Sequence, residues 1–289
     1  MSRARRKGGH RARKRDGLRL SERRRSRGLR QQDLRAKETK KGILMIGSSV
    51  FLVAAVGVFA FTRPTIQLDK NNCVIGQPIP GHTIFLIDGT DKIDGDYLYR
   101  LKNSISFKKD NLPISEKLTI VRLSGNTEGK PEFKELFSKC NPGQGSQFAG
   151  ITESKMKKQF QWKKGFGDEL NAALDDLSNL KVGVSSPIIE SINRLTYKRD
   201  FGVNTLNRRL ILVSDLMQHT DEFTHYKNNY SFSDVRNIGK PYTGVPLDGV
   251  EVDIIYIRRS KIKGFQNVSH EKFWQTYFVQ NGADLAEIR

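Results

Sequence analysis

Residues 83–88 read Thr83-Ile84-Phe85-Leu86-Ile87-Asp88, and the chain continues Gly89-Thr90-Asp91-Lys92. An uncharged run rich in β-branched and aromatic residues, closed by a carboxylate and a glycine, predicts a strand buried on both faces. Three later runs repeat the pattern: Leu118-Thr119-Ile120-Val121, Leu210-Ile211-Leu212-Val213 and Val252-Asp253-Ile254-Ile255-Tyr256-Ile257. Helical spacing lies between them. Leu98, Leu101 and Ile105 share one stripe, and Leu170, Ala173, Leu174, Leu177 and Leu180 another. Ser186-Pro187 predicts a helix start, serine as N-cap and proline at the first turn, with Ile188, Ile189, Ile192 and Leu195 inward. A last helix is expected over Ser269–Asn281, with Gly282 able to stop it. The alternation predicts an α/β domain over residues 80–289. Its sheet is doubly wound and mostly parallel, with helices on both faces.

Upstream the chemistry changes. Residues 42–62, GILMIGSSVFLVAAVGVFAFT, carry no charge. At ~1.5 Å per residue, a helix of this length spans the ~30 Å hydrocarbon core of a bilayer. Residues 1–41 hold 18 of the 50 basic residues and 4 of the 31 acidic ones, so +14 of the net +19 lies there. This places the N-terminal side in the cytoplasm and residues 65–289 outside, in a bacterial periplasm or its equivalent. Such a location makes the chain a single-pass inner-membrane protein, with residues 63–79 as linker. A signal peptide is the other reading of the apolar run, but the run exceeds a usual signal core and 41 residues precede it.

The tail has few apolar residues, so it is expected to be disordered on its own. Its expected role is a topology signal resting on anionic lipid. Nucleic acid or a cytosolic protein is the other class of partner, although no aromatic residue offers a stacking platform. Cys73 and Cys140 both fall in the exported part, and an oxidising compartment predicts a disulfide between them.

Open α/β sheets bind ligands outside the carboxyl ends of their strands. The residues there are Asp88 and Thr90 after the first strand, Ser185 and Ser186 before a helix, and Asp215 after Ser214. Two carboxylates with hydroxyls are hard oxygen donors suited to Mg2+ or Mn2+. A strand ending Asp-x-Thr, a mid-domain serine before a helix and a strand ending Ser-Asp together resemble the von Willebrand factor type A family, over about residues 80–289. That resemblance implies a metal-ion-dependent adhesion site made of Asp88, Thr90, Ser186 and Asp215, with Ser185 as the alternative to Ser186. It also implies recognition of a protein partner, whose carboxylate completes the metal's coordination. The family's third short-motif ligand is a serine, where this chain has Lys92. The ammonium group there either repels a cation or replaces one by pairing with Asp88 or Asp215.

The expected function is therefore partner binding in an envelope complex, without catalysis. Two alternatives stand beside it: a metal-independent scaffold working through the basic tail, and a metal-dependent hydrolase. Among motifs, G-x-S-x-G, H-E-x-x-H and the P-loop are absent. His82 and His270 are expected at the surface, and His219 and His225 in a loop near the site. Arg258-Arg259-Ser260-Lys261-Ile262-Lys263 is expected to be a solvated turn, Trp162 a partly buried core residue, and Cys140-Asn141-Pro142-Gly143 a stapled turn. Asn267-Val268-Ser269 matches a glycosylation acceptor by chance.

Overall fold

A computed structural model describes residues 30, 37–59, 62, 67–93, 95–125, 131–144, 155–177, 183, 185–227, 230–239 and 242–288. Most of the basic tail lies outside the described residues, as do residues 63–66 of the expected linker and Leu180. The chain divides into two compact units, residues 1–65 and 66–289.

In the first unit, helix α1 (Lys37–Phe59) is long and apolar enough to cross a membrane. Ser48 and Ser49 return their hydroxyls to the Met45 carbonyl at 2.8 and 2.9 Å, so neither presents an unsatisfied donor along the apolar run.

The second unit is a six-stranded mixed sheet. Its strands are β1 (Gly81–Asp88), β2 (Lys117–Gly125), β3 (Pro131–Cys140), β4 (Asn207–Ser214), β5 (Val250–Tyr256) and β6 (Asp284–Ile288), in the order β3-β2-β1-β4-β5-β6. All neighbours pair in parallel except β2 and β3. Its helices are α2 (Gly95–Asp110), α3 (Lys155–Trp162), α4 (Asp168–Asp176), α5 (Ile188–Thr196), α6 (Phe232–Ile238) and α7 (Val268–Gln280). A π-helical turn, Lys163–Gly167, joins α3 to α4.

Side chains alternate across a strand, and β1 uses the alternation to feed two cores. Ile84 and Leu86 belong to the core holding Ile188 and Ile192 of α5 and Trp274 and Tyr277 of α7. Phe85 and Ile87 belong to the core with Leu101 and Ile105 of α2 and Leu170 and Leu174 of α4. All eight residues of β1 are buried. Each such aliphatic side chain contributes ~1.5–3 kcal/mol of transfer free energy.

Strands β3 and β6 and helices α3 and α6 carry no long apolar run. β3 is a charged edge strand, with Glu132, Lys134 and Glu135 exposed, and edge strands favour such charge because it discourages pairing with other chains. Two expected surface histidines are buried instead. His82 lies inside β1, 1% exposed, bonded to the Asp200 carbonyl and the Thr119 hydroxyl, each at 2.8 Å. His270 is fully buried, bonded to the Tyr256 hydroxyl at 2.7 Å and the Leu216 carbonyl at 3.0 Å. Burial lowers the pKa of both to about 4, so both are neutral imidazoles at pH 7.

The Cys73–Cys140 disulfide is present. Cys140 pairs with Lys117, the first residue of β2, so the bridge lies at the amino ends of the parallel strands. Trp162 is half-buried, as expected, and its indole N–H donates to Asn141 Oδ1 at 2.9 Å. Asn267 is the N-cap of α7, accepting from the amides of Ser269 and His270.

Candidate functional site at the carboxyl ends of the strands

The strand order reverses between β1 and β4: the chain winds outward through β2 and β3, then in the other direction through β4, β5 and β6. That point is the crevice where open α/β sheets place their ligands. β1 delivers Asp88 there, and β4 delivers Ser214 and Asp215. Gly89 permits the turn between Asp88 and Thr90, because its amide bonds the Leu123 carbonyl at 2.9 Å and any Cβ would meet that oxygen at 2.8 Å.

Asp88 is the hub. Its Oδ1 accepts from the Thr90 amide at 3.0 Å and the Thr90 hydroxyl at 2.6 Å. Its Oδ2 accepts from the hydroxyls of Ser214 at 2.7 Å and Ser186 at 3.3 Å. Ser186 is positioned by a two-way backbone exchange with His219, at 2.8 and 3.0 Å. Ser186 is not the N-cap of α5. Pro187 holds that position, and Gln218 Oε1 accepts from the Ile189 amide at 2.9 Å. The serine hydroxyl is thereby left for Asp88. Ser214 was not among the expected site residues, although its place beside Asp215 marked it.

Asp215 is held differently. Its Oδ1 accepts from the Met217 amide at 3.0 Å, and its Oδ2 takes Arg259 Nε at 2.5 Å. Arg259 also donates Nη1 to the Lys92 carbonyl at 2.8 Å, while its amide bonds Gln266 Oε1 at 2.7 Å. Gln266 in turn bonds the carbonyls of Asp215 and Ile257. Burial, and then the nearby charge of Asp88, push the Asp215 carboxyl up to about 6 against the opposing pull of Arg259.

Arg259 therefore departs from the expected solvated turn. It reaches the rim because Gln266 ties its backbone beside the end of β5. Lys92 pairs with neither carboxylate through its side chain, which is exposed; only its carbonyl joins the network.

The structure brings Asp88, Thr90 and Ser186 into direct contact, and it places Asp215 within electrostatic reach of Asp88. Asp88 and Thr90 are 4% exposed and Asp215 2%. The hydroxyls suit a hard cation, since each gives its proton to Asp88 and keeps its lone pairs. The second carboxylate does not suit one, because a guanidinium occupies its outer oxygen. As arranged, the set does not fit Mg2+ or Mn2+ without displacement of Arg259. Among the described residues, no group of three or more His, Cys, Asp or Glu side chains is placed to hold a metal.

Beside this hub lies an open cleft of about 850 Å3, between the β1–α2 loop and the loop after β5. Lys92, Tyr226, Arg258, Arg259 and Lys261 are among the residues that line it. Tyr226 stacks edge-on against His219 at 5.4 Å and Phe265 at 5.5 Å. His219 is exposed and bonds Thr224, whereas His225 is buried among aromatic rings.

No family model matches the chain, and no curated protein matches it. Among solved structures the chain is similar to the conserved hypothetical protein BatB from Bacteroides thetaiotaomicron, at 14% identity and a TM-score of 0.33, over 61% of this chain and 65% of that one. It is also similar to the human COPII-coat protein Sec24c, at 11% identity and a TM-score of 0.31, over 70% of this chain and 29% of that one. The chain thus spans less than two thirds of either protein. At these values the functional reading rests on the rim itself.

Proposed function

We propose that the chain is a membrane-anchored protein-interaction domain, tethered by α1, whose recognition surface is the cleft at the β1–β4–β5 rim. The observation that carries this reading is the coincidence of an open cleft with a braced polar hub at the switch point of the sheet. The Asp88 network fixes three loops at once, so the surface over it is rigid before a partner arrives, and pre-organisation lowers the cost of binding. The proposed setting is the bacterial inner membrane, with the tail in the cytoplasm, resting on anionic lipid, and the domain in the periplasm. The disulfide lies at the amino ends of the strands, opposite the rim.

Binding is favoured over catalysis by the hydrogen bonds of the hub. Ser186 and Ser214 give their hydroxyl protons to Asp88, whereas a nucleophilic serine is paired with a base, such as histidine or lysine, that passes the proton on to the leaving group. In this reading Arg259 takes the place of a divalent ion, as the cation that balances the buried carboxylates. A von Willebrand-like adhesion role with Mg2+ or Mn2+ at Asp88, Thr90, Ser186 and Asp215 is the competing arrangement, and it requires Arg259 to move.

A photoreactive amino acid in place of Ser260, in the cleft, tests the reading in cells producing the full chain. A discrete adduct from Ser260, with none from the same probe at exposed Met156 on α3, is the expected result. Equal labelling at both positions, or none at Ser260, overturns it.

A further inference from the structure

The rim's accessible side has the opposite sign from its buried side. The buried side is anionic, made of Asp88 and Asp215, and it is already furnished with a cation. Four of the residues that line the cleft are basic, Lys92, Arg258, Arg259 and Lys261, and one is acidic, Asp91. Arg258 is paired with Glu271 at 2.6 Å, and Arg259 with Asp215. Lys92 and Lys261 are exposed, and neither takes part in a salt bridge among the described residues. Their ammonium groups are open to a ligand.

Two further features point the same way. Gly95 lines the cleft and is the first residue of the 16-residue helix α2, so the amino end of that helix, with Asp96 in its first turn, borders it. Tyr226 adds an aromatic wall with a hydroxyl tip, a surface suited to polypeptide side chains and backbone. The cleft is open between two loops, so a segment of another chain can reach it from solvent.

Resting on the proposed interaction role, we infer that this cleft binds an acidic segment of a polypeptide partner, whose Asp or Glu carboxylates are received by Lys92 and Lys261 beside the Arg258–Arg259 pair. No metal bridges the two. Arg259 is held by Asp215, Lys92 and Gln266, and so it presents a fixed edge instead of a mobile charge. The two lysines supply adaptable point charges on flexible stems.

The test uses the full chain in detergent micelles and a fluorescein-labelled peptide rich in Asp and Glu, with its Asn/Gln counterpart as the neutral probe. Anisotropy is expected to show binding of the acidic probe only, weakened by added salt. The pair Lys92→Glu and Lys261→Glu is expected to weaken it by about tenfold or more, since like charge replaces opposite charge at two positions. Lys92→Arg with Lys261→Arg keeps binding, and Lys157→Glu on α3, outside the cleft, leaves it unchanged. Circular dichroism of the reversed variant shows that it is folded. Equal binding of the neutral probe, or undiminished binding by the charge-reversed variant, overturns the inference. So does displacement of the peptide by equimolar inorganic phosphate, which would make the cleft a phosphate site.

The Ser260 crosslink separates this failure from that of the interaction role. An adduct that persists through charge reversal, with no acidic-peptide binding, leaves the cleft an interaction surface for a different chemistry. Loss of both removes both readings.

Discussion

Arg259 is the side chain on which the chemistry of the rim turns. Its ion-pair partner Asp215 is buried and would be left as an uncompensated charge without it. Removing one partner of a fully buried pair costs ~3–5 kcal/mol. Arg259 keeps 22% of its side chain exposed, so Arg259→Gln is expected to cost about 2–3 kcal/mol, read from urea midpoints. Arg259→Lys recovers only part of this, because an ammonium cannot hold the Asp215 carboxylate and the Lys92 carbonyl in one plane. The wild-type chain itself tests the metal. Millimolar Mg2+ or Mn2+ is expected to leave the melting temperature of the wild-type chain unchanged, whereas a ligand of the native state would raise it. A rise in the wild-type chain shows that a divalent ion displaces the guanidinium, and it removes the metal-independent reading.

Asp215 also carries a pH signature. Its carboxyl has a folded pKa of about 6 against an ordinary value of 3.8, so the native state holds a proton that the unfolded chain releases. Stability from this group is full below about pH 4 and is lost as pH rises through about 6. His82 and His270, lowered to about 4 by burial, have the opposite slope. The difference between wild type and Asp215→Asn, taken by urea denaturation from pH 4 to 7, isolates the carboxyl. It should decline across that window, and a flat difference refutes the assignment. None of this was legible in the sequence, where Arg259 lies 44 positions from Asp215 inside an ordinary run of basic residues. Asp88, Thr90 and Ser186 were legible because each lies at or within two residues of a strand end or a helix start.

Among the elements, the segment before β1 and the edge strand β3 depend on each other. Asp69 organises the turn that leads to Cys73 through bonds from the amides of Asn71 and Cys73, each at 2.8 Å. The Cys140 amide then bonds the Asn71 carbonyl at 2.9 Å, and the disulfide closes a separation of 67 residues. Chain entropy for a loop of that size gives about 4 kcal/mol. Reduction, or Cys73→Ser with Cys140→Ser, is expected to lower the urea midpoint correspondingly, with little change at the opposite, rim end. A midpoint that reduction leaves unmoved would show that the hydrogen bonds hold the segment without the bridge. The cysteine pairing followed from compartment and count. β3 did not, since a charged edge strand has no apolar run to betray it.

For the molecule as a whole, the proposed reading divides three tasks among the positively charged tail, the apolar helix and the mixed sheet: orientation, anchorage and recognition. The full chain is expected to stay in the membrane fraction through alkaline carbonate extraction, and a chain lacking residues 42–62 is expected to leave it. Extraction of the full chain into the soluble phase would refute the anchoring role of α1.

Sequence alone determined what depends on neighbours along the chain. These are the uncharged 42–62 run, the charge asymmetry around it, the buried parallel strands, and the carboxylates and hydroxyls at their ends. Each is a local pattern with a period or a charge count that physical chemistry interprets directly. Tertiary structure decided which cation answers the buried carboxylates, why Ser186 bonds Asp88 instead of capping α5, and which side of the rim remains open. Those outcomes depend on where Arg259, Gln266 and Gln218 are carried by turns between elements. Side chains distant in sequence compete for the same buried oxygen atoms, and only the packed sheet determines which of them arrives.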